Sequence, residues 1–377
     1  MTRGFFEAFG RDPEGIWAAP GRLNIIGEFT DYNDGFVLPM AIDAVTTAAV
    51  ARRRDDVIRV SSSGAPATTT PIASSRICNL TPGNTASWSS YAFGVVWAMT
   101  EAGHAIGGVD VFIESNVPIG AGLSSSAALE CALGLALRDL FASTISLQDL
   151  ALLCQRAENA YVGVPCGIMD QTASLCCTAG HAIEFDTRSG EIEQVDFDLS
   201  AAGLELLVID TQVRHQLATS AYGDRRSACE LAAKAIGVKA LRDATLADLD
   251  KIPDDVVRRR ARHVITENER VLSVAALLRS RRFIEVGPIL SAAHQSLKDD
   301  FEVSCAELDL AVDIATHAGA FGARMIGGGF GGCVIALIRS EDQRTIERSV
   351  TAAFASDGFT PPRIFGALPA PGAHRVM

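Results

Sequence analysis

Read as a succession of apolar and polar positions, the chain changes period several times. Apolar runs IWAAP, RLNIIGE and FVLPMAI are interrupted by TDYNDG, whose Asp-Gly pair is a hairpin signal. VTTAAVARRR and DVIRVSSS read as two further strands forming a hairpin closed at Asp55 and Asp56. Residues 61–87, rich in Ser, Thr, Ala and Pro, read as a loop, and 88–102 as a helix. Val109, Val111 and Ile113 alternate as in a strand, whereas Leu129, Leu133, Leu137, Leu140 and Phe141 recur at helical spacing. A second helix is predicted over 147–163. Between 187 and 200 the character shifts through a Gly turn and EIEQVDF to a new apolar strand, LELLVID. This places a boundary near residue 195 and divides the chain into 1–195 and 196–377. Beyond it the pattern is more helical, over 256–279 and 282–296, until GGGFGGCVIALI reads as a glycine loop running into a strand.

The junction between the Val109 strand and the helix after it carries the first chemical signal. Positions 116–130 read NVPIGAGLSSSAALE. Small residues let the backbone approach an anion, and the free N–H groups of a helix N-terminus point at it with a favourable dipole. A glycine turn capped by serine, with no ligand, is the plainer reading of the same residues. The loop is not of the Walker type, because Leu123 and Ser124 follow Gly122 where that pattern places Lys. Any phosphate grip therefore falls to backbone amides and hydroxyls. A hydroxyl there can also ligate Mg2+, which prefers oxygen donors.

Composition narrows the partners. Of 377 residues, 48% are hydrophobic and 21% charged, an ordinary balance for a soluble globular protein, and the length favours two domains. A formal net charge of −12 argues against nucleic acid as a main partner, since phosphate backbones demand surplus Lys and Arg. The basic run RRRARH is accordingly read as a solvated helix face, with Glu267 and Glu269 following it. Nine cysteines without a CxxC pair read as reduced, buried thiols of a cytosolic protein, and not as a zinc site. The N-terminus shows no signal-peptide pattern and no apolar run approaches membrane-spanning length, so the expected location is the cytoplasm.

Charged residues in otherwise apolar surroundings mark the remaining candidates. Arg22, Glu28 and Asp31 fall in or beside a strand and turn. They either pair and cap locally, or serve a polyhydroxylated ligand, because ionised carboxylates accept strongly from sugar hydroxyls. Glu158 falls near a helix end, and Asp170 follows a Pro-Cys-Gly turn and opens another helical run. Asp170 is an N-cap in one reading and a general base or positioning carboxylate in the other. A neighbouring Arg would keep it ionised, and Arg22 is the candidate. Gly327, Gly329 and Gly332 formally match GxGxxG, but a strand follows where a dinucleotide fold needs a helix. That context removes a dehydrogenase reading.

Three motifs, GRLNIIGEFTDYNDGFVLP, PIGAGLSSSAALE and GGGFGGC, resemble those of galactokinases in the GHMP small-molecule kinase superfamily. The segments AENAYVGVPCGIMDQTAS, VRHQLATSAYGDRRSACE, RARHVITENERVL and HQSLKDDFEVSCAELD extend the resemblance over nearly the whole chain. It implies an α+β fold of two domains, a ribosomal-S5-like N-terminal domain and a C-terminal α/β sandwich-type domain, with the active site in the cleft. It also implies transfer of the ATP γ-phosphate to the anomeric hydroxyl of a galactose-like sugar. By position, Arg22 and Asp170 would be the catalytic pair, and Glu28, Phe29, Asp31, Gly167 and Tyr222 the sugar-binding set. Gly120, Ala121, Gly122, Leu123, Ser124, Ser125 and Ser126 would form the phosphate loop, supported by Gly328 and Gly329. Ser126 and Glu158 would be the Mg2+ ligands, and Trp88 a candidate for the adenine pocket. The implied partners are the sugar and ATP, with no nucleic acid and no membrane, and the implied state is a monomer.

Three positions depart from the family pattern. GEHTDY reads GEFTDY here, so Phe29 stands where a His is expected to help hold the sugar's C6 hydroxyl. Losing that hydrogen bond would weaken galactose binding or favour a sugar altered or lacking at C6. The alternatives are that Glu28 or water takes over, or that Phe29 merely packs. Ile326 replaces a common Thr in the third motif, and Ala221 replaces an acidic residue before Tyr222. Arabinose, 6-deoxygalactose, N-acetylgalactosamine or a non-sugar alcohol are the alternative acceptors. A non-catalytic sugar and ATP sensor is the reading from another class. Such sensors carry a deletion beside the serine loop, whereas Ser126 and Ala127 are intact here.

Overall fold

The computed structural model describes the chain apart from residues 65–71, 84–87, 142–143 and 215–217 and the side chains of 218–220. Its strands are β1 (Gly15–Asn24), β2 (Phe36–Val37), β3 (Pro39–Arg52), β4 (Val57–Ser62), β5 (Ala73–Arg76), β6 (Val109–Ser115), β7 (His181–Asp186), β8 (Ile192–Asp196), β9 (Leu204–Asp210), β10 (Gly322–Met325), β11 (Cys333–Arg339), β12 (Arg363–Ala367) and β13 (His374–Arg375). Its helices are α1 (Thr2–Phe9), α2 (Ser89–Glu101), α3 (Ser125–Phe141), α4 (Leu147–Arg156), α5 (Met169–Cys176), α6 (Ala218–Ile236), α7 (Asp255–Arg279), α8 (Val286–Asp299), α9 (Ala306–His317) and α10 (Gln343–Ser356).

One sheet has the order β13-β1-β3-β6-β4-β5, a second β10-β11-β9-β12, and a third β2-β7-β8. The content is α+β, as expected. IWAAP and the start of RLNIIGE form one strand, β1, whose register shifts between Pro20 and Arg22. All ten positions of β1 are buried, which suits an apolar run covered on both faces. Ile16, Phe5 and Phe112 pack on one side, and Trp17 and Ala19 join the larger core under α2 and α3 on the other.

The expected hairpin of 45–54 with 56–63 does not form. β6 lies between the two segments, antiparallel to β3 and parallel to β4. Val109, Val111 and Ile113 of β6 are buried in the core with α2 and α3, so this strand has more to gain from a central place. Its Asp110 accepts from both Arg53 and Arg59, one from each side of the turn. Within the segment read as a loop, β5 and a 3-10 turn over Ile77–Asn79 are ordered; its remainder at 65–71 and 84–87 lies outside the described residues.

The basic run on α7 is not a solvated face either. Arg260 is 3% exposed and His263 fully buried, and with Val264, Glu267, Asn268 and Val271 they line one face of α7 at helical spacing. Arg260 pairs with Glu302, and the His263 Nε2–H donates to the Glu28 carbonyl at 3.2 Å. A run of arginines in a helix cannot all face water, because 3.6 residues complete a turn. The cysteines are all free, but Cys78 is exposed where buried thiols were expected. The C-terminal residues return to the first sheet, where β13 pairs with β1 and the Ala370 amide donates to the Ala41 carbonyl. Among the described residues no helix is long and apolar enough to cross a membrane.

Candidate active site

The register shift after Pro20 turns Arg22 toward the glycine–serine loop between β6 and α3. The Arg22 amide donates to the Leu123 carbonyl at 3.1 Å and its Nη1 to the Gly122 carbonyl at 2.6 Å. Its Nε and Nη2 reach Asp170 Oδ1 at 2.8 and 2.7 Å. Asp170 lies in the first turn of α5, and its other oxygen accepts from the Ser124 hydroxyl at 2.5 Å. Ser124 holds this position in left-handed backbone, φ 58°, a conformation that costs a residue with a Cβ and that persists only where its surroundings impose it. The loop carbonyls thus orient the arginine. Among the described residues, no backbone N–H from Gly120 to Ser124 is hydrogen-bonded within the protein, and those of the accessible Gly120, Gly122 and Ser124 can serve a ligand.

Arg22 and Asp170 face a pocket of about 120 Å³ that Glu28, Phe29, Asp31, Gly167, Tyr222 and Gly328 also line. Every residue of the predicted sugar set is therefore brought to the predicted catalytic pair. Gly167 is required by packing, since a Cβ there would lie 1.6 Å from Asp31 Oδ2. Asp31 accepts from the amides of Tyr32 and Met169 at 3.0 and 3.4 Å. Burial pushes its carboxyl up to about 6, and the negative charge of Asp170 adds to the effect. Glu28 is 2% exposed and largely committed to the protein. Its Oε1 accepts from the Gly327 amide at 2.8 Å and pairs with Arg324 at 3.2 Å, while Oε2 accepts from Asn24 at 2.7 Å. It therefore ties the first motif to the third glycine loop. Phe29 is 5% exposed and packs in an aromatic cluster, with ring centroids 4.5 Å from Phe301 and 5.7 Å from Tyr222.

A second cavity, of about 250 Å³, lies beside the first and shares Gly328 with it. Gly120 and Gly122 line it from one glycine loop and Gly328 and Gly329 from the other, with Arg214 at its edge. The two loops touch: a Cβ on Gly327 would meet the Gly122 backbone at 3.2 Å. Ala121 and Leu123 are buried and line neither cavity, and Ser125 opens α3. Burial pushes the Glu158 carboxyl up to about 7, with Asp170 adding to the rise and the nearby Ser126 hydroxyl and hydrogen bonds from Cys166 and Gln171 opposing it. Ile326 is buried and supplies an apolar wall to the second cavity. Trp88 stands apart, packed on the core under α2 and lining neither cavity.

Similarity to known proteins agrees with this geometry. Residues 3–52 match the model for the galactokinase galactose-binding signature, 90–178 that for the GHMP kinases N terminal domain, and 274–356 that for the GHMP kinases C terminal domain. The galactokinase of Streptomyces coelicolor is 51% identical over 99% of this chain and 97% of its own length. The chain belongs to the galactokinase family. The crystal structure of Lactococcus lactis galactokinase complexed with galactose superposes with a TM-score of 0.94 at 32% identity, covering 99% of this chain and 98% of that one. Methanococcus jannaschii mevalonate kinase, at 18% identity and a TM-score of 0.66 over 94% of this chain and 98% of that one, shares the fold.

As a galactokinase-family member the protein is a GHMP kinase, a phosphotransferase with the family's N- and C-terminal domains. Several residues that build this site escaped sequence reading. Arg324 is fully buried and joins Glu28 to the Ile25 carbonyl; a lone charge in the apolar run ARMI was its only signal. His263, Glu267 and Asn268 of α7 hold the Glu28 carbonyl and the Gly27 and Phe36 amides. Burial lowers the His263 pKa to about 4, so the ring is neutral at pH 7. Arg214, bound to Asp210 and to the Ile119 carbonyl, puts a cation at the second cavity.

Proposed function

We propose that this kinase transfers the γ-phosphoryl group of ATP to the C1 hydroxyl of galactose, giving galactose 1-phosphate and ADP. One observation carries the reading: the Arg22–Asp170 pair opens onto the pocket shared by Glu28, Asp31, Gly167 and Tyr222, and Gly328 joins that pocket to the cavity between the glycine loops. Asp170 accepts or orients the C1 hydroxyl proton, and Arg22 supports its charge and that of the transferring group. The C1 oxygen bonds to the γ-phosphorus as the bond to the β–γ bridging oxygen breaks. Alignment and electrostatics supply most of the acceleration in such a transfer. The accessible amides of Gly120, Gly122 and Ser124 and the Arg214 guanidinium suit the phosphates. Ser126 and Glu158 would hold Mg2+; a hydroxyl and a carboxylate are a fitting pair for a cation that keeps several waters. When bound, the ion would neutralise phosphate charge. Residues 1–195 and 196–377 are read as the two domains, and the enzyme as a cytoplasmic monomer.

The test is ATP turnover with galactose, 6-deoxygalactose, arabinose and N-acetylgalactosamine, the product ester being located by phosphorus NMR. An absence of galactose-dependent turnover would overturn the reading. Phe29 supports a second one, because it lines the sugar pocket without a hydrogen-bonding group. A buried hydroxyl left unpaired costs about 1–3 kcal/mol. Phe29→His is then expected to lower KM for galactose and leave that for 6-deoxygalactose unchanged. If neither moves, Phe29 serves packing alone.

A further inference from the structure

At the far end of β1 from Arg22 lies a concavity of about 720 Å³, lined by Arg11, Arg52, Arg53, Arg54 and Arg59. In a chain of formal charge −12, five guanidiniums there face three carboxylates, Glu14, Asp55 and Asp110. The arrangement is built around Asp110, whose side chain is 1% exposed. It receives Arg11 at 2.6 Å, Arg53 at 2.9 Å and Arg59 at 2.6 Å. Three cations converging on one carboxylate repel one another unless further negative charge is near. Asp55 and Glu14 answer Arg53 and Arg52. That leaves a surplus of two positive charges, and among the described residues Arg54 makes no hydrogen bond or ion pair.

We propose that this concavity binds a small molecule carrying clustered phosphate charge. Its volume falls within the usual range for small-ligand sites, roughly 300–1,000 Å³. Guanidinium groups match phosphate oxygens in geometry, each with five donors in a rigid fork. Asp110 and the Ala51 and Arg52 carbonyls hold Arg11 in place, and the Phe9 ring lies 5.0 Å from the Arg59 guanidinium. The forks of Arg11, Arg52, Arg53 and Arg59 are held before a ligand arrives, which lowers the entropic cost of binding. A purely structural clamp would need one arginine for the buried Asp110, not three with an unpaired fourth beside them.

The test is isothermal titration of inorganic pyrophosphate into the full chain, kept saturated with galactose and a non-hydrolysable ATP analogue so that the active site is filled. One further binding event is expected, weakening as salt rises. Arg54→Glu, on the surface, should weaken it at least tenfold while leaving thermal stability and sugar-dependent turnover unchanged. Arg59→Gln should weaken it as well. Repeating the titration with inorganic phosphate and galactose 1-phosphate identifies the source, and Arg54-dependent binding of either supports the site. Absence of binding at low salt, or binding indifferent to both substitutions, would overturn the proposal. So would capture of an acidic peptide that pyrophosphate does not displace.

Discussion

The two ends of β1 carry ion-pair clusters of opposite sign. At one end the buried Arg22 and Arg324 stand among Glu28, Asp31 and Asp170, so carboxylates are in surplus. At the other, the buried Asp110 stands among Arg11, Arg53 and Arg59, so guanidiniums are in surplus. In each cluster the minority charge is buried, and the cavity beside it is lined by more groups of the majority sign. The sign of the surplus then matches a ligand: carboxylates accept from hydroxyl groups, and guanidiniums donate to anions. Burial of the minority charge makes it costly to leave unpaired, which keeps the majority charges in place.

Breaking the first cluster should have the largest effect. Asp170→Asn keeps the shape and the Ser124 contact but removes the charge; kcat is expected to fall by roughly 10²–10⁴ with KM for galactose changed only a few-fold. Full activity in this variant would end the role given to Asp170. The second cluster is tested by Asp110→Asn, which leaves three guanidiniums around a neutral amide. Removing one partner of a buried pair costs about 3–5 kcal/mol. The arginines here are 20–39% exposed, so solvent screening should reduce the loss in urea unfolding to about 2 kcal/mol. Burial alone would raise the Asp110 carboxyl, but hydrogen bonds from Arg59, Arg11 and Arg53 hold it below the ordinary range. Its contribution is therefore present above the unfolded pKa and lost as pH falls into the acid range, and the amide variant should lack that loss. An unchanged unfolding midpoint would show that the arginines do not depend on Asp110.

The smallest effect sharpens the contrast through pH. Asp31 has a folded-state pKa raised to about 6 by burial and by Asp170, the reverse of Asp110. The folded state holds the proton more tightly than the unfolded chain, so Asp31 lowers stability as pH rises between the two values. Its ionised form, the one proposed to accept from sugar hydroxyls, is lost as pH falls through 6. KM for galactose should rise by about tenfold per unit below that pH, whereas Asp31→Asn should give a high KM that is flat over the same range. A wild-type KM independent of pH from 5 to 7 would contradict this.

Much of the site was readable because its residues sit in short motifs with local causes. Gly120 and Gly122, with φ of 69° and 76°, occupy turns that disfavour a Cβ, and the serines after them open a helix. Arg22, Glu28, Asp31 and Asp170 were conspicuous as charges beside apolar runs. The same local reading went wrong where pairing is not local. A turn at Asp55 and Asp56 looks like a hairpin until β6, supplied from later in the chain, takes the place between its arms. Ser124 read as one more hydroxyl of a phosphate loop, and only the approach of α5 directs it to Asp170.

The sequence by itself determined the order of motifs, the conformation of the glycine turns, the balance of apolar and charged residues and the family to which they belong. Those follow from residue type and spacing, which act over a few neighbours. Tertiary structure alone decided which charges are buried. Arg260, His263 and Glu267 have no local mark of burial, because desolvation depends on what packs against them. The same cause separates the two ends of β1. Asp110 and Arg22 are each a lone charge in an apolar strand, and only their assembled neighbours give one cavity a negative surplus and the other a positive one.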